Sequence, residues 1–315
     1  MYYEDWVRQE LRELSKSLGF QYTPHEEIKN RLAGIRARME KQEVEALLVV
    51  QKMNFYHLSG TTQDGLIFIP LEGSPLLMIK RELERAKVES PIKEIVSLKS
   101  SREIPLLIQG HSRKLPLSLG LELDILPVKD YFKFQELFPG TKLTDASSIL
   151  REARKIKSSF EITLMRKAGE IGKKVYHEAQ KVLKEGMTEI EFGGLLEAAA
   201  KRCGHEGLLR VNSLNYEAYT WHVLSGLTGG IVSQSDSPMG GLGLSPAFPV
   251  GASLKAMAAH EPILVDFGTC YHGYQADETR MFSVGKDETE IYRCLQGLQR
   301  DPRHRFGRGP ARGGL

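Results

Sequence analysis

The sequence predicts an α/β domain followed by a second, mixed domain built on a helical pair and a β-hairpin. Three observations predict it. Apolar strand-like runs alternate with amphipathic stretches as far as Asp145. From Ser148 to Gly204 there is almost no strand signal. Beyond a loop-rich stretch, the runs PILVDFG and YQADETRMFSVG flank a turn near Tyr271-His272-Gly273, the clearest hairpin in the chain. At 315 residues the chain is long enough for two domains, each with its own core.

The elements follow in order. Residues 1–22 form a charged, amphipathic helical extension without the apolar core of a signal peptide. Thr23-Pro24-His25-Glu26 reads as a helix start, with Thr23 as N-cap, Pro24 at the first helical position and Glu26 placed for a capping box, and Ile28, Leu32, Ile35 and Met39 follow at helical spacing. EALLVV, DGLIFIP, SPLLMIK and LPLSLGLELDILPV read as strands separated by Gly and Pro, and KDYFKFQELF as a surface helix. These belong to an α/β domain over residues 23–147. The second domain, 148–292, opens with the basic stretch REARKIKSS. Ser158 to Glu161 is a capping box for a long helix that Gly186 ends, and Thr188 to Glu191 is another for a helix closed by Gly204. Residues 293–315, rich in Arg, Gly and Pro and without periodicity, read as a disordered tail.

Composition excludes several classes. The chain is 41% hydrophobic and 26% charged, with mean hydropathy −0.30. Its net charge of +3 comes largely from the tail, so no nucleic-acid partner is implied. No apolar run is long enough to span a bilayer, so no membrane partner is implied either. Cys203, Cys270 and Cys294 are far apart and form no CxxC pair, which fits a reducing cytoplasm and argues against a disulfide framework.

The hairpin carries the chemistry. A turn at Tyr271-His272 would set Asp266 directly opposite Asp277. A turn at His272-Gly273 would set Asp266 opposite Thr279, with Asp277 two residues along on the same face. In either register two carboxylates point the same way, which calls for a cation, a shared proton or solvent exposure. The apolar flanks Ile263 to Phe267 and Met281 to Val284 argue against simple exposure; the spacing by itself leaves a divalent metal and two solvated turn-proximal acids equally open.

VDFG…GYQADETRMFSVG resembles the central motif of the pita-bread metallopeptidases, the family of methionine aminopeptidase, prolidase, Xaa-Pro aminopeptidase and creatinase. That motif is an Asp, ten intervening residues, a second Asp, then Thr-Arg, matched by Asp266, Asp277, Thr279 and Arg280. KSSFEITLMRKA, GMTEIEF and HVLSG extend the likeness over about residues 20–292. The resemblance implies an α/β creatinase-like N-terminal domain followed by an incomplete α+β pita-bread domain. It implies a hydrolase of the Xaa-Pro aminopeptidase or dipeptidase type, acting on short proline-containing peptides. It further implies two divalent ions (manganese, cobalt or zinc) on five ligands, with Asp266 chelating one ion, Asp277 bridging both, and Thr279 and Arg280 in support. His222 in WHVLSG would contact substrate, although a lone histidine is as often structural. Family members often dimerise through the N-terminal domain, so a homodimer is expected.

Three further ligands, a His in a Gly-His-Gly motif and two Glu residues, would follow the second Asp. After Asp277 the sequence carries one histidine, His304, inside the tail. Gly204-His205-Glu206-Gly207 mimics the His motif but precedes the Asp pair, so it reads as a loop after a helix end. The expectation is a truncated or frameshifted chain, out of frame from near Cys294, with at most weak metal binding and no activity. A non-catalytic peptide- or protein-binding module and a creatinase-like amidinohydrolase are the other readings.

Overall fold

EALLVV, DGLIFIP and SPLLMIK each supply a strand in the computed structural model, which describes residues 3–211, 221–233 and 240–285. The chain divides into two units, the first running through Phe160 and the second starting at Glu161.

In the first unit, α1 (Tyr3–Ser17) and α2 (His25–Lys41) precede β1 (Ala46–Val49), α3 (Lys52–Ser59), β2 (Gly65–Pro70) and β3 (Leu76–Ile79). Then come α4 (Leu83–Glu89), β4 (Ile95–Ser97), α5 (Ile104–Ser112), β5 (Ser118–Leu121), α6 (Val128–Leu137), β6 (Lys142–Asp145) and α7 (Ser147–Lys155). The six strands form one sheet in the order β4-β3-β2-β1-β5-β6. β2 is antiparallel to both its neighbours and every other pairing is parallel, so five strands point one way. Both faces are covered. Leu47, Val49, Ile67 and Ile79 pack with Ile35 and Met39 of α2 and Ile149 and Leu150 of α7. Leu48, Phe68, Met78 and Leu119 pack on the other side with Ile108 of α5 and Phe134 of α6. Two-sided burial is why these strands read as continuous apolar runs rather than as alternating ones. On β5, beside the edge strand β6, a Cβ on Gly120 would lie 2.6 Å from Leu47 and 2.7 Å from Ala146, so a larger residue would have to displace them.

Several local expectations shift. Pro24 is itself the N-cap of α2, with φ −62° and ψ 150°, and no side chain caps the helix. Thr23 is buried instead of capping. LPLSLGLELDILPV is a strand only from Ser118 to Leu121, because Glu122 turns inward. Its carboxylate accepts from the Val50 and Gln51 amides at 2.7 and 2.8 Å and from Asn54 Nδ2 at 2.7 Å. Burial nevertheless pushes the Glu122 carboxyl above the usual carboxylate range. The short strands β4 and β6 carry too few residues to show a period.

The second unit holds α8 (Ser159–Val182), α9 (Glu189–Arg202), β7 (Trp221–Ser225), β8 (Ile263–Tyr271) and β9 (Tyr274–Phe282). α8 ends a turn before Gly186, whose N–H bonds Met257 O at 2.8 Å with φ at +80°. The Thr188 hydroxyl accepts the Glu191 N–H at 3.2 Å, as its capping position predicts. The strands form one sheet in the order β7-β8-β9. Val223, Val265 and Phe267 pack against Val175 and Ala179 of α8 and Phe192 and Leu196 of α9. Burying a side chain such as Phe267 contributes roughly 1.5–3 kcal/mol. No helix among the described residues is long and apolar enough to cross a membrane. The predicted tail 293–315, with Cys294, lies outside the described residues.

Candidate functional site

The hairpin turn falls at His272-Gly273, with φ +51° and +74°, since Tyr271 pairs with Tyr274. Of the two registers the sequence allowed, this one sets Asp266 opposite Thr279, with Asp277 opposite Gly268 and two residues along on the same face. β7 adds His222 directly opposite Asp266 on its other side. His222, Asp266 and Thr279 thus form one row across the sheet with Asp277 diagonal to it, on the face away from Val265 and Phe267. The Thr279 hydroxyl donates to Asp266 Oδ1, which fixes that carboxylate. Arg280 does not join them. It pairs across from Val265, lies 5.3 Å over the Tyr176 ring and bonds Glu278 Oε2 at 2.7 Å, on the helix-covered side.

Two electrostatic features mark this row. Asp277 reaches solvent, yet partial burial and then the negative charge of Asp266 push its carboxyl above the usual range. His222 is 7% exposed, and burial drives its imidazole down to about 4 against the opposing pull of Asp277. The imidazole is therefore neutral at pH 7 and can both donate and accept a hydrogen bond.

Supports around the row were only partly visible in the sequence. Glu189, fully buried in the first turn of α9, accepts from Ser225 N (2.7 Å), Ser225 Oγ (2.8 Å), Ser253 N (2.9 Å) and Ser253 Oγ (2.7 Å), and from the Thr228 hydroxyl. It ties the end of β7 to the 253 segment. In sequence it looks like any acid in a first helical turn, and no signal distinguishes it. The loop Gly204-His205-Glu206-Gly207 follows the end of α9, as predicted, and covers the part of β8 that extends past β7. Cys270 N donates to His205 Nδ1 at 2.9 Å, Glu206 N bonds Cys270 O at 3.2 Å, and the Glu206 carboxylate accepts from Gly273 N at 3.0 Å. Burial lowers the His205 imidazole below its ordinary range.

Comparison with known proteins bears on this arrangement. Residues 31–156 match the creatinase/prolidase N-terminal domain, and residues 163–301 match metallopeptidase family M24. The chain belongs to the M24 metallopeptidase family. Among M24 relatives, the Xaa-Pro dipeptidase of Pyrococcus horikoshii is 28% identical over 271 residues, covering 83% of this chain and 67% of that one. The Xaa-Pro dipeptidase of Pyrococcus furiosus is 26% identical, covering 87% of this chain and 71% of that one. The solved prolidase of P. horikoshii superposes with a TM-score of 0.66 at 26% identity, covering 86% of this chain and 70% of that one. The Xaa-Pro dipeptidase of Bacillus anthracis superposes at 0.71 with 19% identity, over 86% of this chain and 69% of that one, and shows the shared fold. The chain thus spans about two thirds of the length of its curated M24 relatives.

The donor set fits an M24 metal in part. Asp266 and Asp277 share an open face, and their like charges are of the kind a cation relieves. Among the described residues, however, no three His, Cys, Asp or Glu side chains gather into a group that could hold a metal ion. The two aspartates would hold an ion from one side only.

Proposed function

We propose that this chain carries the substrate-facing scaffold of an Xaa-Pro dipeptidase or aminopeptidase, with Asp266 and Asp277 as two ligands of a divalent-metal centre. The placement of both carboxylates on one sheet face, in a row with a neutral His222, carries the reading. The M24 match and the Xaa-Pro dipeptidase names of the Pyrococcus relatives support the substrate class, a short peptide with proline in second position.

When bound, divalent ions of this kind supply Lewis acidity toward a peptide carbonyl. The chain's own residues position and orient. Asp266 is oriented by the Thr279 hydroxyl, Asp277 stays at the solvent edge, and the neutral His222 offers a hydrogen bond to a peptide carbonyl or amide above the row. With two carboxylates on this face among the described residues, Mn²⁺ binding is expected to be weak, on the order of 10⁻⁴ to 10⁻³ M.

An EPR titration with Mn²⁺ tests the ligand assignment. The expected result is weak binding that Asp266→Asn and Asp277→Asn each abolish. Binding unchanged in both variants refutes the ligand assignment.

A further inference from the structure

Five strands of the first sheet end at the same edge, and the carboxyl edge of a largely parallel sheet is where open α/β folds place small ligands. A cavity of about 210 Å³ lies there. Val50 lines it just past β1, Lys80 just past β3, Leu126 beyond β5, and Gly65 at the start of antiparallel β2. Its floor is apolar, with Phe55, Leu66, Ile104 and Phe134 reaching it from both sides of the sheet. The buried Glu122 carboxylate grips the Val50 and Gln51 amides and so holds the β1–α3 junction that forms one wall.

The rim is charged with both signs. Lys80 faces Asp64 at 3.5 Å, and Lys52 donates to Thr62 O at 3.4 Å. Asp130 and Lys133 both line the cavity, one turn apart on α6 and therefore on the same side of that helix. Among the described residues neither side chain is engaged in an ion pair. The cavity therefore offers one uncommitted carboxylate and one uncommitted ammonium beside an apolar floor. Its volume falls below the ~300–1,000 Å³ of pockets for larger ligands.

We propose that this cavity binds a free α-amino acid with a medium-sized apolar side chain, as a zwitterion. Lys133 meets the ligand carboxylate, Asp130 meets its ammonium, and the side chain lies on Phe55, Leu66 and Phe134. The site lies wholly in the first unit and is independent of the metal reading, so failure of either leaves the other standing.

The test is a titration of the full chain with L-leucine, followed by amide chemical shifts. Leucinamide, which lacks the carboxylate, and 4-methylpentanoate, which lacks the ammonium, serve as controls. L-leucine is expected to shift the amides of Val50, Leu66 and Leu126 saturably. Each control, and each of the surface variants Asp130→Asn and Lys133→Gln, is expected to weaken binding about tenfold. No saturable shift up to about 10 mM L-leucine, shifts confined to other residues, or equal binding of either control overturns the proposal. The controls use the unaltered chain, so the outcome stands whatever the variants do to folding.

Discussion

Removing the Glu189 carboxylate tests the structural logic of the second unit most severely. Five donors converge on it from Ser225, Thr228 and Ser253, and two of them are backbone N–H groups. Hydrogen bonds to a charged group contribute ~1.5–3 kcal/mol each, and a buried donor left unmatched costs ~1–3 kcal/mol. Summing five such bonds overstates the loss, since the hydroxyls of Ser225, Thr228 and Ser253 can rotate to one another and water can enter. Breaking a buried charged network from one side typically costs ~3–5 kcal/mol, and that is the expectation for Glu189→Ala. Glu189→Gln keeps the volume but turns an amide nitrogen toward donors, for an expected loss of about 2 kcal/mol. The assay is urea unfolding followed by fluorescence in a Trp6→Phe background, where Trp221 on β7 is the remaining tryptophan. With a slope of about 2 kcal/mol per M, Glu189→Ala should lower the midpoint by about 2 M. A loss below ~1 kcal/mol in the alanine variant, or a glutamine variant matching the parent, would refute the reasoning.

Three further outcomes are expected. Gly193→Ala would set a Cβ 2.0 Å from the Trp221 ring, so it should destabilise the second unit by ~1–3 kcal/mol and shift Trp221 emission, whereas unchanged emission and midpoint contradict the packing. Asp277→Asn removes the like charge diagonal to Asp266, so the metal-free chain should gain a little stability, under ~1 kcal/mol after solvent screening, as read by calorimetry; a loss contradicts the repulsion. His205 is held neutral by burial, so the unfolded chain binds more protons just below the imidazole's ordinary value of 6.5. Stability from this group is complete above pH 6.5 and falls as pH drops below it. His205→Gln should flatten the acid limb of the unfolding midpoint between pH 7 and 5, and an identical limb in both chains counts against the assignment.

Much of this protein was legible one residue at a time. The two-sided sheet showed in runs such as ALLV and LLMI, because a strand buried on both faces has no polar positions to interrupt it. The hairpin and its two aspartates showed in period-two patterning around a turn with a glycine, and the Asp-to-Asp spacing carried the family. Local chemistry, however, admitted two registers. Moving the turn by one residue shifts the cross-strand pairing by two, so every side chain keeps its face and only its partner changes. The tertiary structure chose between them by placing the turn at His272-Gly273, which set Thr279 rather than Asp277 across from Asp266 and Val265 across from Arg280, whose side chain packs against Tyr176. It also decided what His222, Glu189 and Glu122 do. Each is an ordinary polar residue in its own segment, and its burial and partners come from residues about 30 to 70 positions away. Hydrogen bonds between such distant segments leave no period or spacing in the chain, so they become visible only once it is folded.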